Sequence, residues 1–280
     1  MKTRFLICSF FLISIFNMKA QENFSVSANV KTEPTDKIKF NETNIGISFN
    51  QNIGAKNKIT NTLEYSNLKV NYELGSNTAY EQLDQFNQIK NRFGFSHEIS
   101  NTTKLNFSIT PMVNFQSNLN TDDFSLLGSF EVQQQLSLKT FISIGVARTT
   151  VFGTPKFMPT LGFNYQINDQ SSLLIGFPDS KISYSNNIRN KFSLNNNFNG
   201  NFYRLDPQNT LNNNASKVSL SQMTAALEYE RNVDKNWFLN FKAGYDFNKK
   251  YNLQDNDNHN VYDFNTGNGY VLGVGIKYKQ

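Results

Sequence analysis

The chain has 280 residues, a formal net charge of +5 and 14% aromatic content from 26 Phe, 12 Tyr and one Trp, yet its mean hydropathy is −0.50. Basic and acidic residues are mixed along the whole length, with no stripe of one sign, which argues against a nucleic-acid surface. The only cysteine is Cys8 and the only histidines are His97 and His259, so a metal centre built from nitrogen and sulfur ligands is excluded as a reading.

Residues 1–20 have the form of an export signal: Lys2 and Arg4 lead, an apolar run spans Phe5 to Phe16, and the small Ala20 precedes Gln21. That run is shorter than the roughly 20 apolar residues of a membrane helix. Cys8 lies inside the run, too early for a lipid-bearing cysteine. Removing the signal takes away Lys2, Arg4 and Lys19 and leaves 24 basic residues against 22 acidic, so most of the apparent basicity belongs to the signal. The mature part, 21–280, shows no linker or change of composition and is expected to be one domain.

From there on the pattern has period two, not the helical period. Leu105, Phe107, Ile109, Pro111, Val113 and Phe115 alternate with polar or small neighbours, as do Phe157 to Ile167, Trp237 to Phe247 and Tyr270 to Tyr278. Weaker copies cover 43–53, 59–72, 85–99, 124–137, 141–152 and 218–231. Many exceed the five or six residues usual in soluble proteins and match the roughly 9–11 residues of a membrane strand. With 24–30 as a first strand and 172–186 split into a hairpin about Pro178-Asp179-Ser180, the count is fourteen, with twelve as the alternative.

Connections sort into two alternating sets. Short turns fall at 54–58, 100–103, 138–140, 168–171, 187–190 and 232–236. Connections that are mostly longer and rich in Asn and Asp fall at 31–42, 73–84, 117–123, 153–156, 178–180, 203–217 and 248–268. Short periplasmic turns and longer outer loops characterise transmembrane barrels, so an all-β, antiparallel up-and-down transmembrane barrel is expected, with both chain ends at the periplasmic rim.

Lipid offers a backbone no hydrogen bonds, so the sheet must close and its apolar face must look outward. The opposite face then lines the interior and carries Glu64, Lys90, Arg92, Glu98, Glu131, Gln133, Glu228, Glu230, Lys242 and Asp246. Aromatic girdles are expected from Phe141, Tyr165, Tyr229, Trp237 and Tyr278 at the short-turn rim. At the other rim they are expected from Tyr72, Phe86, Phe115, Phe124, Phe157, Tyr245, Phe247 and Tyr270. Pro111 and Pro159, on the apolar face, are expected at bulges or rim positions.

Motifs for chemistry are weak. Asp255 to Asn260 begins like a calcium loop, but the sixth and twelfth places hold Asn260 and Thr266 where Gly and Glu are needed. Asp122, Asp123, Asp257 and His259 would have to meet across two loops to activate water. No enzyme, cofactor or metal site is therefore expected.

Thr110-Pro111-Met112, Thr121-Asp122-Asp123-Phe124, Gly176-Phe177-Pro178-Asp179-Ser180-Lys181, Leu227-Glu228-Tyr229-Glu230 with Trp237, Lys242-Ala243-Gly244-Tyr245 and Val261-Tyr262-Asp263-Phe264-Asn265 together resemble flavobacterial-type outer-membrane β-barrel proteins of unknown function. The resemblance covers most of the mature chain and implies a Gram-negative outer-membrane location, with no activity or ligand. The chain ends Tyr278-Lys279-Gln280, so Tyr278 is the terminal aromatic available to the assembly machinery. The expected function is a passive or modestly selective pore for small polar solutes, partly closed by outer loops. The alternatives are a non-conducting barrel binding partners through 73–84, 203–217 and 248–268, and, behind it, a hydrolase. Expected partners are the outer-membrane lipid, the assembly machinery and small solutes, with no nucleic acid.

Overall fold

The structure is a computed structural model that describes residues 24–73, 83–206 and 215–280; the expected signal at 1–20 lies outside them. Its strands are β1 (Phe24–Pro34), β2 (Ile38–Ile53), β3 (Asn57–Tyr72), β4 (Gln85–Glu98), β5 (Thr103–Phe115), β6 (Phe124–Ser137), β7 (Thr140–Thr149) and β8 (Lys156–Gln166). They continue as β9 (Ser171–Phe177), β10 (Asp179–Asn187), β11 (Asn190–Arg204), β12 (Lys217–Asp234), β13 (Trp237–Gln254), β14 (Asn260–Asp263) and β15 (Gly269–Lys279).

Neighbours in sequence pair antiparallel from β1 to β13, and β15 closes the ring by pairing with β13 on one side and β1 on the other. The result is a closed fourteen-strand transmembrane barrel, with the four-residue β14 added only to the outer end of β13. Except along the outer parts of β8 and β11, closure gives the strand backbone groups partners within the sheet, which lipid requires.

The side chains sort as the period-two pattern demands. Phe107, Phe130, Ile144, Leu161, Phe163, Leu194, Leu227, Leu272 and Val274 all stand exposed on the outer face. In water a continuous apolar belt of this size would be an association surface; against hydrocarbon it is the stable arrangement. At the short-turn end Phe192, Tyr229 and Phe241 stack in a row with neighbouring centroids 4.9 and 6.2 Å apart, and Trp237 meets Tyr278 edge-on at 5.2 Å.

Four expectations change. The segment 31–42 is not a loop: β1 runs to Pro34, β2 starts at Ile38, and Lys31 pairs with Glu42. Tyr72 and Phe86 do not join the lipid-facing girdle, because Tyr72 shares the parity of Glu64 and Phe86 that of Lys90, and both turn inward. Phe141 pairs with Gln135 and Asn164, on the inward register beside Ser143, for the same reason. Pro111 and Pro159 shift no register and mark no bulge: Pro159 faces Val146 in an unbroken ladder, and Pro111 faces Leu126 in one, while on its other side the β4–β5 ladder skips the Asn91–Pro111 and Arg92–Thr110 pairs and resumes in the same register.

The outer end differs from the rest of the barrel. β11 follows β10 only as far as Asn197; beyond that it bends across the mouth until Arg204 pairs in parallel with Phe115 of β5. Gln88 Nε2 donates to Asn201 Oδ1 at 3.3 Å and the Asp206 amide to Gln116 Oε1 at 3.1 Å, fastening the crossing. Nine strands, β1–β5, β11–β13 and β15, thus surround the outer end, and their inward residues meet in a core. Ile38, Phe40, Leu68, Val70 and Phe86 come from one wall, and Tyr203, Val218, Leu220, Tyr251 and Leu253 from the other, with Phe264 above. Phe86 stacks on Tyr203 with centroids 5.0 Å apart, Tyr251 meets Phe40 edge-on at 5.2 Å, and the Tyr72 and Tyr251 hydroxyls lie 2.7 Å apart. Full burial of each large apolar side chain is worth about 1.5–3 kcal/mol.

The inside-outside assignment predicts unequal costs on one strand. Phe130→Lys, on the lipid face of β6, is expected to lower stability by about 2–4 kcal/mol in lipid vesicles, while Ser129→Lys, facing the interior, costs much less. Urea unfolding in vesicles measures both, and equal losses would contradict the assignment.

Candidate functional site

Beneath the apolar core the inward face becomes polar or charged: Glu42 follows Phe40 on β2 and Lys249 precedes Tyr251 on β13, while Gln222 and Thr224 take these places on β12. On β13 the change depends on a bulge: Phe247 pairs with Met223 and Lys250 with Ser221, so the two residues between them face the single Gln222. Asn248 takes a positive φ of 50°, a conformation Asn tolerates better than most residues. The extra residue flips the inward parity from even to odd. Asp246 and Lys249 therefore both point inside, 3.3 Å apart, and Tyr251 and Leu253 follow Lys249 into the core.

Lys249 Nζ, fully buried, also forms an ion pair with Glu33 of β1 and lies 4.4 Å from the centre of the Phe40 ring. Glu33 is bridged to Lys31 at 2.6 Å, and Lys31 to Glu42 at 2.9 Å. Gln222 Nε2 donates to Glu33 at 3.1 Å and Thr224 Oγ1 to Asp246 at 2.6 Å. Two lysines and three carboxylates thus form one network, joining β1, β2, β12 and β13 directly under the seal. Taking such charges out of water costs several kcal/mol per ion unless every partner is in place, so the network holds its four strands in one arrangement.

Below it the lumen opens into a cavity of 460 Å³. Lys31, Glu33, Glu42, Gln88, Lys90 and Arg92 line one side, while Leu127, Val151, Pro178 and Gly200 line the other. A second cavity of 360 Å³ lies nearer the short-turn rim, bounded by Lys181, Lys191, Glu228, Glu230, Asn240 and Lys242. Among the residues expected from sequence, Glu64 pairs with Lys90 at 2.7 Å, and Glu228 lies between Lys242 at 3.7 Å and Lys181 at 3.8 Å. Glu98 meets Lys104 at 3.5 Å, and Asn106 donates to Glu131 at 3.3 Å. Glu230 and Gln133 take inward registers opposite Asn240 and Ser143. Arg92 has no ion-pair partner among the described residues. Asp246, in contrast to the others, is wholly buried in the network.

Sequence reasoning missed Lys31, Glu33, Glu42 and Lys249, all of which fall in segments read as loops. Two signals were available: Lys31 and Glu33 continue the inward parity of β1, and Val218 and Leu220 share the parity of Glu228 and Glu230, announcing an apolar inner face.

At the outer loops, Asp255 accepts hydrogen bonds from the Asp257 and His259 amides at 2.9 Å and lies 3.3 Å from His259 Nδ1. Asp255, Asp257 and His259 form the one grouping of metal-ligand type among the described residues, and loop hydrogen bonds already engage Asp255. The His259 amide hydrogen bond holds the Asp255 carboxyl below its ordinary pKa. The two loops considered for water activation are bridged by Arg204, whose Nε donates to the Asp122 carbonyl at 3.1 Å and whose guanidinium donates to Asn256 Oδ1 at 3.2 Å. Asp123, in the 3-10 turn Thr121–Asp123, is buried and accepts from the Asn120 amide at 2.6 Å; burial pushes its pKa up to about 6.

A closed membrane barrel with a charged lumen and a dry outer end is the class that this geometry defines. The chain belongs to the family described as Domain of unknown function (DUF6268), which matches residues 16–279. No curated protein sequence matches it. Similar solved structures include the COG4313 outer membrane channel from Pseudomonas putida F1, 7% identical over 95% of this chain and 98% of that one, with a TM-score of 0.49. Others are the TodX deltaS2S3 mutant monoaromatic hydrocarbon channel, 10% identical over 92% and 90% with a TM-score of 0.49, and the NanC porin, 7% identical over 91% and 100% with a TM-score of 0.43. The likeness is distant, and what those proteins carry is theirs alone.

Two outcomes follow from the site. Lys249→Met strands Glu33 and Asp246 without their shared cation and is expected to cost about 3–5 kcal/mol in vesicle unfolding; adding Glu33→Gln should cost less than the sum of the single changes. For Asp123 the folded pKa lies above the unfolded one, so the protonated carboxyl favours the turn. That contribution is complete below about pH 4 and is lost as the pH rises through about 6. Amide exchange at 120–124, corrected for its intrinsic pH dependence, should accelerate across that window, and Asp123→Asn should abolish the acceleration.

Proposed function

We propose that this protein is an outer-membrane channel for small polar solutes, exported by the signal at residues 1–20, whose lumen is shut at its outer end by the aromatic core of the strands themselves. One observation carries the reading: inward side chains that are polar and charged through the membrane-spanning part change to a dry apolar cluster at a single level near the mouth. Apolar constrictions stop conduction by excluding water, without needing a bulky plug. In this reading the strand side chains close the lumen; of the loops expected to close it in part, 74–82 and 207–214 lie outside the described residues. Glu64, Lys90, Arg92, Glu131, Glu228, Glu230 and Lys242 would set the field along the route, and Asp246 would help hold the closed state.

Single-channel recording in planar bilayers tests the proposal. The wild type is expected to be closed for most of the time, whereas Tyr251→Ala combined with Phe86→Ala should raise the open fraction and conductance severalfold. In that open background, Lys90→Glu with Arg92→Glu should move the reversal potential toward cation preference. A folded seal variant that stays silent alongside a silent wild type would overturn the channel reading.

A further inference from the structure

The ring of strand pairing is incomplete at one place. β8 and β9 pair only as far as Leu161 with Phe177, and β10 and β11 only as far as Asp179 with Asn197. The β9–β10 hairpin is therefore too short to reach the outer rim. Above it, 156–160 of β8 and 199–203 of β11 each keep one edge without a neighbouring strand among the described residues, the Phe198 amide still donating to the Pro178 carbonyl and Arg204 already pairing with β5. Pro159 lies in that stretch of β8, where a missing N–H does least harm.

The gap is patched, not paired. The turn at 150–155 leans over it, with Thr150 Oγ1 donating to the Gly200 carbonyl at 2.7 Å. Gly200 permits this because a Cβ there would overlap the Thr150 carbonyl and the Gly153 amide. On the lipid side three rings cover the gap: Phe152, Phe177 and Phe198, with centroids 5.4–6.2 Å apart. Side-chain packing of this kind can separate without breaking a continuous ladder of backbone hydrogen bonds.

Behind the patch is the 460 Å³ cavity, a volume within the roughly 300–1,000 Å³ of ligand pockets. Its two sides differ in chemistry. Lys31, Glu33, Glu42 and Lys90 are engaged in ion pairs, which leaves Arg92 as the free cation of its charged side among the described residues. The other side holds Leu127, Val151 and Pro178 together with Arg148, whose guanidinium is turned to the Leu126 carbonyl; it leads to the patched gap, and the axial way out is blocked by the apolar core.

We propose that the gap is a side window, and that the cavity binds a single-chain anionic amphiphile with its headgroup on Arg92 and its chain directed through the window toward the lipid. The proposal goes beyond a polar-solute channel and does not require the outer seal to open, so the two can fail separately.

The test uses the full-length protein in nanodiscs of unbrominated lipid. Trp237, the only tryptophan, is replaced in Trp237→Phe, and a reporter is placed in the cavity by Leu127→Trp or, should that fold poorly, Ser129→Trp. Phe130→Trp, facing lipid on the same strand, reports simple partition into the bilayer. An ω-bromoundecanoate is expected to quench the cavity reporter at about tenfold lower concentration than the lipid-facing one, as one charge-assisted hydrogen bond to Arg92 warrants. Arg92→Gln should erase that preference. A disulfide between Phe152→Cys and Phe198→Cys should slow quenching in the cavity and leave the lipid reporter unchanged. Superimposed curves for the two reporters, a preference indifferent to Arg92→Gln, or quenching as strong with bromoacetate as with the long chain would each overturn the proposal.

Discussion

A peptide group cannot be left unpaired in hydrocarbon, and every other feature of this molecule adjusts to that constraint. It forces the strands to close into a ring, dictates that alternate side chains meet lipid, and makes any shortfall in strand length a structural problem. The β9–β10 hairpin creates such a shortfall. Its consequences are the turn at 150–155 folded over the gap and the departure of β11 toward β5. Once β11 crosses the mouth, the outer end narrows enough for opposite walls to touch, and a lumen that is wide below becomes a packed core above.

The core and the ion network depend on each other. Phe40, Tyr251 and their neighbours keep water from Lys249, which strengthens its pairing with Glu33 and Asp246; the paired charges in turn hold β1 and β13 at the spacing the aromatic rings need. A network of this kind is a poor source of net stability, because desolvation offsets most of the attraction. Its value is specificity: only one arrangement of the four strands satisfies all five charges, and a barrel mouth that closes by packing needs such a fixed reference.

Much of the barrel was legible in the chain. Runs such as Leu105 to Phe115 and Tyr270 to Tyr278 show period two over lengths that suit a bilayer, and fourteen strands with two alternating sets of connections followed from that. The same reasoning placed Glu64, Lys90, Arg92, Glu228 and Lys242 on the register opposite the lipid face. It failed for Tyr72, Phe86 and Phe141, where aromatic character was allowed to outweigh parity. It failed also for 31–42 and for the outer part of β13, where Asn, Lys and Glu content suggested loops although the strands continue.

Alternation along a strand is a local property, set by pleat geometry, so the sequence alone determined which residues share a face, that the sheet must close, and that its exterior is apolar. Which residues meet across the barrel is set by strand lengths, by stagger and by single irregularities such as the bulge at Asn248, and none of these is visible in a periodic pattern. Only the tertiary structure could bring Glu33 to Lys249 across more than two hundred residues, or lay β11 against β5, because those contacts arise from how the closed ring bends and not from any stretch within it.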